Sequence, residues 1–169
     1  MTILRPDPGR ARYFRTSHDL RHRLARVSLI AAMHEGNNNL HCAALHGARV
    51  LVVDDDADTR EVLTAVLELS GALVSTAESA AEAMRAFERD PPRLLISDIG
   101  LPDEDGFSLL RRVRALPASR GGTIPAIALT GYDEGTEGCG GANGFHAHLT
   151  KPVAFEDMLA VVSSALSSA

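Results

Sequence analysis

The stretch Val50-Leu-Val-Val-Asp54-Asp55-Asp56 sets four consecutive apolar residues against three carboxylates. A run that is apolar at every position, not every second one, suits a strand covered on both faces, and such strands belong to parallel sheets flanked by helices. The abrupt change to Asp then marks the strand's carboxyl end. Leu94-Leu-Ile-Ser97 runs into Asp98 in the same way, and Ala126-Ile-Ala-Leu129 runs into Thr130-Gly131. Leu73-Val-Ser-Thr76 and a weaker stretch from His146 to Thr150, followed by Lys151-Pro152, complete five strand candidates.

Helical patterns separate them. Asp56 is a suitable N-cap, Val62, Val66 and Leu69 recur at i, i+4 and i+7, and Gly71 supplies a stop. Ser79-Ala-Ala-Glu82 reads as a capping box, Ala83 and Phe87 share a face, and Asp90-Pro-Pro92 ends the segment. Leu109, Val113 and Leu116 form the next stripe, closed by Pro117, and Phe155, Leu159 and Val162 the last. Parallel neighbours require crossovers, so five strands alternating with helices predict an α/β fold with a doubly wound, five-stranded parallel sheet.

That pattern fills only part of the 169 residues. Residues 1–48 carry seven Arg and three acids, a net +4, whereas 49–169 carry a net −9. With the polar stretch Glu35-Gly-Asn-Asn-Asn-Leu40 before it, this asymmetry places a boundary near residue 48. Residues 1–47 are expected to form a basic, mobile N-terminal extension, with at most one amphipathic helix through Leu20, Leu24, Val27 and Ala31, and 48–169 the folded domain. No apolar run approaches the length of a membrane span and no secretory h-region is present, so no membrane partner is expected and a cytoplasmic location is. Cys42 and Cys139 form no closely spaced pair, which argues against a zinc knuckle or a disulfide scaffold.

In a parallel sheet, ligands bind beyond the carboxyl ends of the strands. Asp54, Asp55, Asp98, Thr130 and Lys151, scattered over about a hundred residues, therefore converge on one edge. Carboxylates held together are tolerated when a cation sits among them, and hard oxygen ligands suit Mg²⁺. Carboxylate-held metal beside a lysine is what a transferring phosphoryl group requires, with Asp98 the candidate nucleophile.

Four motifs in this order, Val-Leu-Val-Val-Asp54-Asp55, Leu-Leu-Ile-Ser-Asp98-Ile-Gly-Leu-Pro102 with Asp105-Gly106, Ala-Leu-Thr130-Gly131 and Lys151-Pro152, resemble those of the receiver domain of two-component response regulators across residues 49–167. The resemblance implies a flavodoxin-like receiver fold in which Asp98 accepts a phosphoryl group from a sensor histidine kinase or a histidine phosphotransfer protein. It implies that Mg²⁺ is held by Asp54, Asp55, Asp98 and the backbone carbonyl of Gly100, and that Lys151 and the Thr130 hydroxyl bind phosphoryl oxygens. It also implies a cis Lys151-Pro152 bond, room for the phosphoryl group at Gly131, a switch made of Thr130 and the residue at 148, and only limited self-phosphorylation and self-dephosphorylation. His148 stands where the family often has Tyr or Phe.

No DNA-binding domain is expected in the extension or after Ala169, so output is expected through protein contacts or a phosphorelay. Two alternatives are a Mg²⁺-dependent phosphatase of the haloacid dehalogenase type and a detached hybrid-kinase receiver acting as a phosphate sink. The first wants Asp-x-Asp-x-Thr after the first strand, where this chain has Asp58 at the fifth position. Finally, Gly131, Gly135, Gly138, Gly140, Gly141 and Gly144 predict a short or frayed helix between Thr130 and Phe145, each interior Gly costing about 1 kcal/mol relative to Ala.

Overall fold

Five short strands carry the core of the protein, whose structure is a computed structural model describing residues 43–131 and 144–168. They are β1 (Arg49–Val53), β2 (Leu73–Ala77), β3 (Leu94–Asp98), β4 (Ala126–Thr130) and β5 (Ala147–Thr150). The helices are α1 (Ala57–Leu69), α2 (Ala80–Arg89), α3 (Gly106–Arg114) and α4 (Phe155–Ser167), with a short 3-10 turn at Ala118–Arg120. All pairings are parallel and the strand order is β2-β1-β3-β4-β5, the doubly wound arrangement expected.

Alternation along the central strands divides the core in two. Val50, Val52, Leu94, Ile96, Ile127 and Leu129 meet α1 and α4 on one face. Leu51, Val53, Leu95, Ala126 and Ala128 meet α2 and α3 on the other. Because β1, β3 and β4 are covered on both sides, they carry the unbroken apolar runs Val50–Val53, Leu94–Ile96 and Ala126–Leu129. Each Val, Leu or Ile so buried contributes about 1.5–3 kcal/mol of apolar transfer free energy.

Local signals act as read. Asp56 caps α1 by accepting from the Thr59 N–H at 2.6 Å, and Ser79 caps α2 through the Glu82 N–H at 3.2 Å. The stripe on α1 differs from the expected one. Leu63, Val66 and Leu67 are buried, while Val62 and Leu69 are 42% and 56% exposed. The i, i+3, i+4 set faces the sheet, and Val62 and Leu69 lie to one side of it, toward solvent.

The expected boundary at residue 48 also shifts. Leu45 is fully buried in the α1/α4 core, the Ala48 N–H donates to its carbonyl at 2.9 Å, and Gly47, at φ 69°, donates to Gly71 O at 2.8 Å. The residues just before β1 thus belong to the folded unit, because an apolar side chain at 45 completes the space beside α1. The rest of the extension, with the stretch Leu20 to Ala31 where a helix was expected, and residues 132–143 of the Gly-rich segment lie outside the described residues, as do Cys42 and Cys139.

Candidate functional site

Parallel registration brings the chemistry together. Val53 pairs with Ser97 and Asp98 with Leu129, so the residues following β1 and ending β3 are neighbours, and the Lys151 N–H donates to Thr130 O at 2.8 Å. One carboxylate oxygen from each of Asp54, Asp55 and Asp98 falls within 4.8 Å of the others. Asp54 and Asp98 are buried and Asp55 is exposed, so the cluster opens to solvent through Asp55. Asp56 stays out of it, committed to the α1 cap, whose N–H bond from Thr59 holds its carboxyl below the usual range.

Lys151 is the cation among these carboxylates. Its Nζ donates to Asp98 Oδ2 at 2.5 Å and stands 2.8 Å from Asp54 Oδ2 in a second ion pair. Burial works to lower the Lys151 pKa, but the bonds and charges of Asp54 and Asp98 outweigh it and hold the ammonium above its ordinary value. For Asp54 the balance goes the other way. Burial pushes its carboxyl up, against the pull of Lys151 and of the Asp56 N–H that donates to Oδ1 at 3.0 Å.

The loops are held by bonds that sequence reading missed. Arg60, in the first turn of α1, donates through Nη1 to the carbonyls of Asp54 (2.6 Å) and Asp55 (3.0 Å), while Nη2 pairs with Glu78 at 3.8 Å. An Arg in an acidic helix start reads as a solvated charge, and its use on backbone carbonyls has no periodic signal. Asp103, to which the sequence reading gave no role, accepts from the N–H groups of Ala80 and Ala81 at the start of α2. Gly106 packs directly against the Asp98 backbone, and the Gly100 N–H donates to Asp98 Oδ1 at 3.2 Å.

The remaining expected residues also fall at this edge or beside it. Thr130 is buried at the end of β4, and its Oγ1 has no hydrogen-bond partner. An extra methyl at Gly131 would meet nothing within 4 Å, so space is open there. The Lys151-Pro152 bond is cis. His148, half-buried on β5, stacks edge-on against Phe145 at 5.8 Å, and Phe145 does the same against Phe107 on α3 at 5.6 Å. Burial lowers the His148 pKa.

The donor set suits Mg²⁺ on this geometry. Three hard carboxylates face a single ammonium, leaving uncompensated negative charge, and the exposed Asp55 side leaves room for the waters that Mg²⁺ retains. An acidic cluster, a lysine and an unpartnered hydroxyl at one strand edge are the parts of a phosphoryl-accepting site.

Comparison with known proteins agrees. A family model described as the response regulator receiver domain matches residues 50–163, and the chain belongs to that family. It is 50% identical over 105 residues to an uncharacterized 14.6 kDa protein in the sodA1 3′ region of Leptolyngbya boryana, covering 62% of this chain and 79% of that one. It is 35% identical over 119 residues to the response regulator MprA of Mycobacterium leprae, covering 70% of this chain and 50% of MprA, so it spans about half of that relative's length. The fold superposes on the chemotaxis response regulator CheY4 of Vibrio cholerae with a TM-score of 0.64 at 28% identity, over 70% of this chain and 98% of that one. The protein is thus a phosphoacceptor receiver of two-component signalling, and the dehalogenase-type alternative is set aside. Among the described residues no helix is long and apolar enough to cross a membrane.

Proposed function

We propose that Asp98 is the phosphoacceptor and that Mg²⁺ is held by Asp54, Asp55, Asp98 and the Gly100 carbonyl. The observation that carries this reading is the contact of Lys151 Nζ with Asp98 Oδ2 at 2.5 Å, within the carboxylate cluster. An oxygen of ionised Asp98 forms the new bond to phosphorus as the P–N bond of a phosphohistidine breaks, and the electron pair leaves with the imidazole nitrogen. Lys151 binds one phosphoryl oxygen through its ammonium, and the unpartnered Thr130 hydroxyl binds another. Mg²⁺, when bound, supplies neutralisation of the charge on the phosphoryl oxygens.

The donor is a sensor histidine kinase or a histidine phosphotransfer protein in the cytoplasm, and the output is a protein contact altered by phosphorylation, with Thr130 and His148 as the switch. Mass spectrometry after incubation with a small phosphodonor and Mg²⁺ tests the site. One phosphoryl group on the intact chain, absent in Asp98→Ala, is expected; incorporation that survives Asp98→Ala defeats the assignment. Mg²⁺ binding is expected to weaken in Asp55→Ala and to persist in Asp56→Ala, because Asp56 is engaged by the helix cap.

A further inference from the structure

The loop between β3 and α3 holds both Asp98's neighbour Gly100 and a bidentate tie to another part of the fold. Asp103 Oδ1 accepts from the Ala80 N–H at 3.0 Å and Oδ2 from the Ala81 N–H at 2.9 Å. These are the first two N–H groups of α2, which have no intrahelical acceptor, and the carboxylate also meets the positive end of the helix dipole. Ser79 Oγ takes the next N–H, from Glu82, and Glu82 in turn accepts from the Glu78 N–H at 2.9 Å. The first turn of α2 is therefore fully satisfied, two of its donors by a residue 22 and 23 positions away.

Elsewhere the loop is tied within its own strand–helix unit, where the Gly106 N–H closes on Ile99 O at 2.9 Å and Glu104 pairs with Arg112 on α3, and to β4, where the Ile99 N–H continues the sheet ladder to Leu129 O at 3.1 Å. Asp103 is what ties it to α2. Burial opposes the Asp103 charge, yet the N–H bonds from Ala81 and Ala80 outweigh that and hold its carboxyl below the usual range, so the anchor is ionised at neutral pH.

We propose that Asp103 is a positioning residue for the cation and phosphoacceptor site, clamping the β3–α3 loop on the N-terminus of α2 so that Gly100, and through its N–H bond the Asp98 carboxylate, stand ready for Mg²⁺. The inference rests on the reading that Asp98 and Gly100 take the metal. Its consequence is a two-way coupling: a clamp that favours the metal is in turn tightened by it, so metal loading reaches the start of α2.

The test is titration of the full chain with Mg²⁺ alone, followed by NMR amide shifts well below the unfolding midpoint, for wild type, Asp103→Ala, Asp103→Asn and Ala80→Pro. Asp103→Ala is expected to bind Mg²⁺ about tenfold more weakly, the low end for a group that orients a ligand without being one. Asp103→Asn, which keeps one acceptor oxygen, is expected to recover part of that loss. Ala80→Pro removes one donor at a helix position that accommodates Pro, and is expected to weaken binding in the same direction, so the test survives if Asp103→Ala does not fold. In wild type, added Mg²⁺ is expected to slow hydrogen exchange at Ala80 and Ala81. Wild-type affinity within about twofold in the folded variants overturns the clamp while leaving the metal site intact. Absence of Mg²⁺ binding in wild type overturns the site reading, and the clamp with it.

Discussion

Gly106 approaches the Asp98 backbone so closely that a Cβ on it would lie 2.4 Å from the Asp98 carbonyl oxygen and 3.0 Å from Ile99 Cα. Both obstacles are backbone, which cannot swing aside as the end of a side chain can. The start of α3 is thus seated against the strand that carries Asp98, and any side chain at 106 lifts it away. Gly106→Ala is expected to lose about 2 kcal/mol of stability, in the range of overpacking substitutions, and to accept phosphoryl more slowly. Urea unfolding and the rate of phosphoryl incorporation measure the two effects. Gly131→Ala is the contrasting case. With open space at that position and no positive φ, its stability is expected to stay within about 0.5 kcal/mol of wild type.

Removing the Lys151 ammonium leaves Asp54 and Asp98 facing each other without their shared cation. A fully buried pair broken in this way costs about 3–5 kcal/mol, and because the Lys151 side chain is 26% exposed the loss in Lys151→Ala is expected to be about 2 kcal/mol. Burial already raises the Asp54 pKa, and loss of Lys151 raises it further. A folded-state pKa above the unfolded value stabilises only while the group is protonated, so the deficit grows as pH rises through the folded value. Urea midpoints for wild type and Lys151→Ala, in Mg²⁺-free buffer at several pH values between about 4 and 8, are expected to diverge upward in pH. A pH-independent gap contradicts the pairing.

Much of this was legible in the chain. Strands covered on both faces write themselves as apolar runs, and the polar residues that end those runs must share an edge, so the positions of Asp54, Asp98 and Thr130 followed from Val50–Val53, Leu94–Ser97 and Ala126–Leu129, and that of Lys151 from the weaker stretch His146–Thr150. The helix face of α1 was harder: Val62, Leu63, Val66, Leu67 and Leu69 offer two overlapping stripes, and only the direction of the sheet selects Leu63, Val66 and Leu67. The loop anchors were invisible for a different reason. Arg60 acts on carbonyls and Asp103 on N–H groups, and main-chain partners leave no residue pattern to read. Leu45 was missed because a polar linker and a change in charge masked one apolar residue at the domain edge.

That residue provides a direct test of where the folded unit starts. Leu45 is fully buried among α1 and α4 side chains, so Leu45→Ala removes core volume and is expected to cost about 2–4 kcal/mol. An extension lying outside the core would lose almost nothing. The urea midpoint of the full chain distinguishes the two, and a change below about 0.5 kcal/mol returns the boundary to residue 48.

His148 makes the stability pH-dependent from the other end of the sheet. It is half-buried on β5, edge-on to Phe145, and burial lowers its pKa below the ordinary 6.5. Between the folded and unfolded pKa values the unfolded chain binds the proton that the folded chain refuses, so stability rises with pH across that window. The contribution of neutral His148 is therefore intact above pH 6.5 and is lost as pH falls below it. Carboxylates and other histidines also titrate in acid, so the informative quantity is the difference from His148→Phe, which keeps an aromatic edge against Phe145 and cannot take a proton. The variant is expected to lose less stability than wild type between about pH 7 and 5, and urea unfolding at both ends of that interval measures the difference. Parallel losses in the two proteins show that protonation of His148 is as easy in the folded chain as in the unfolded one.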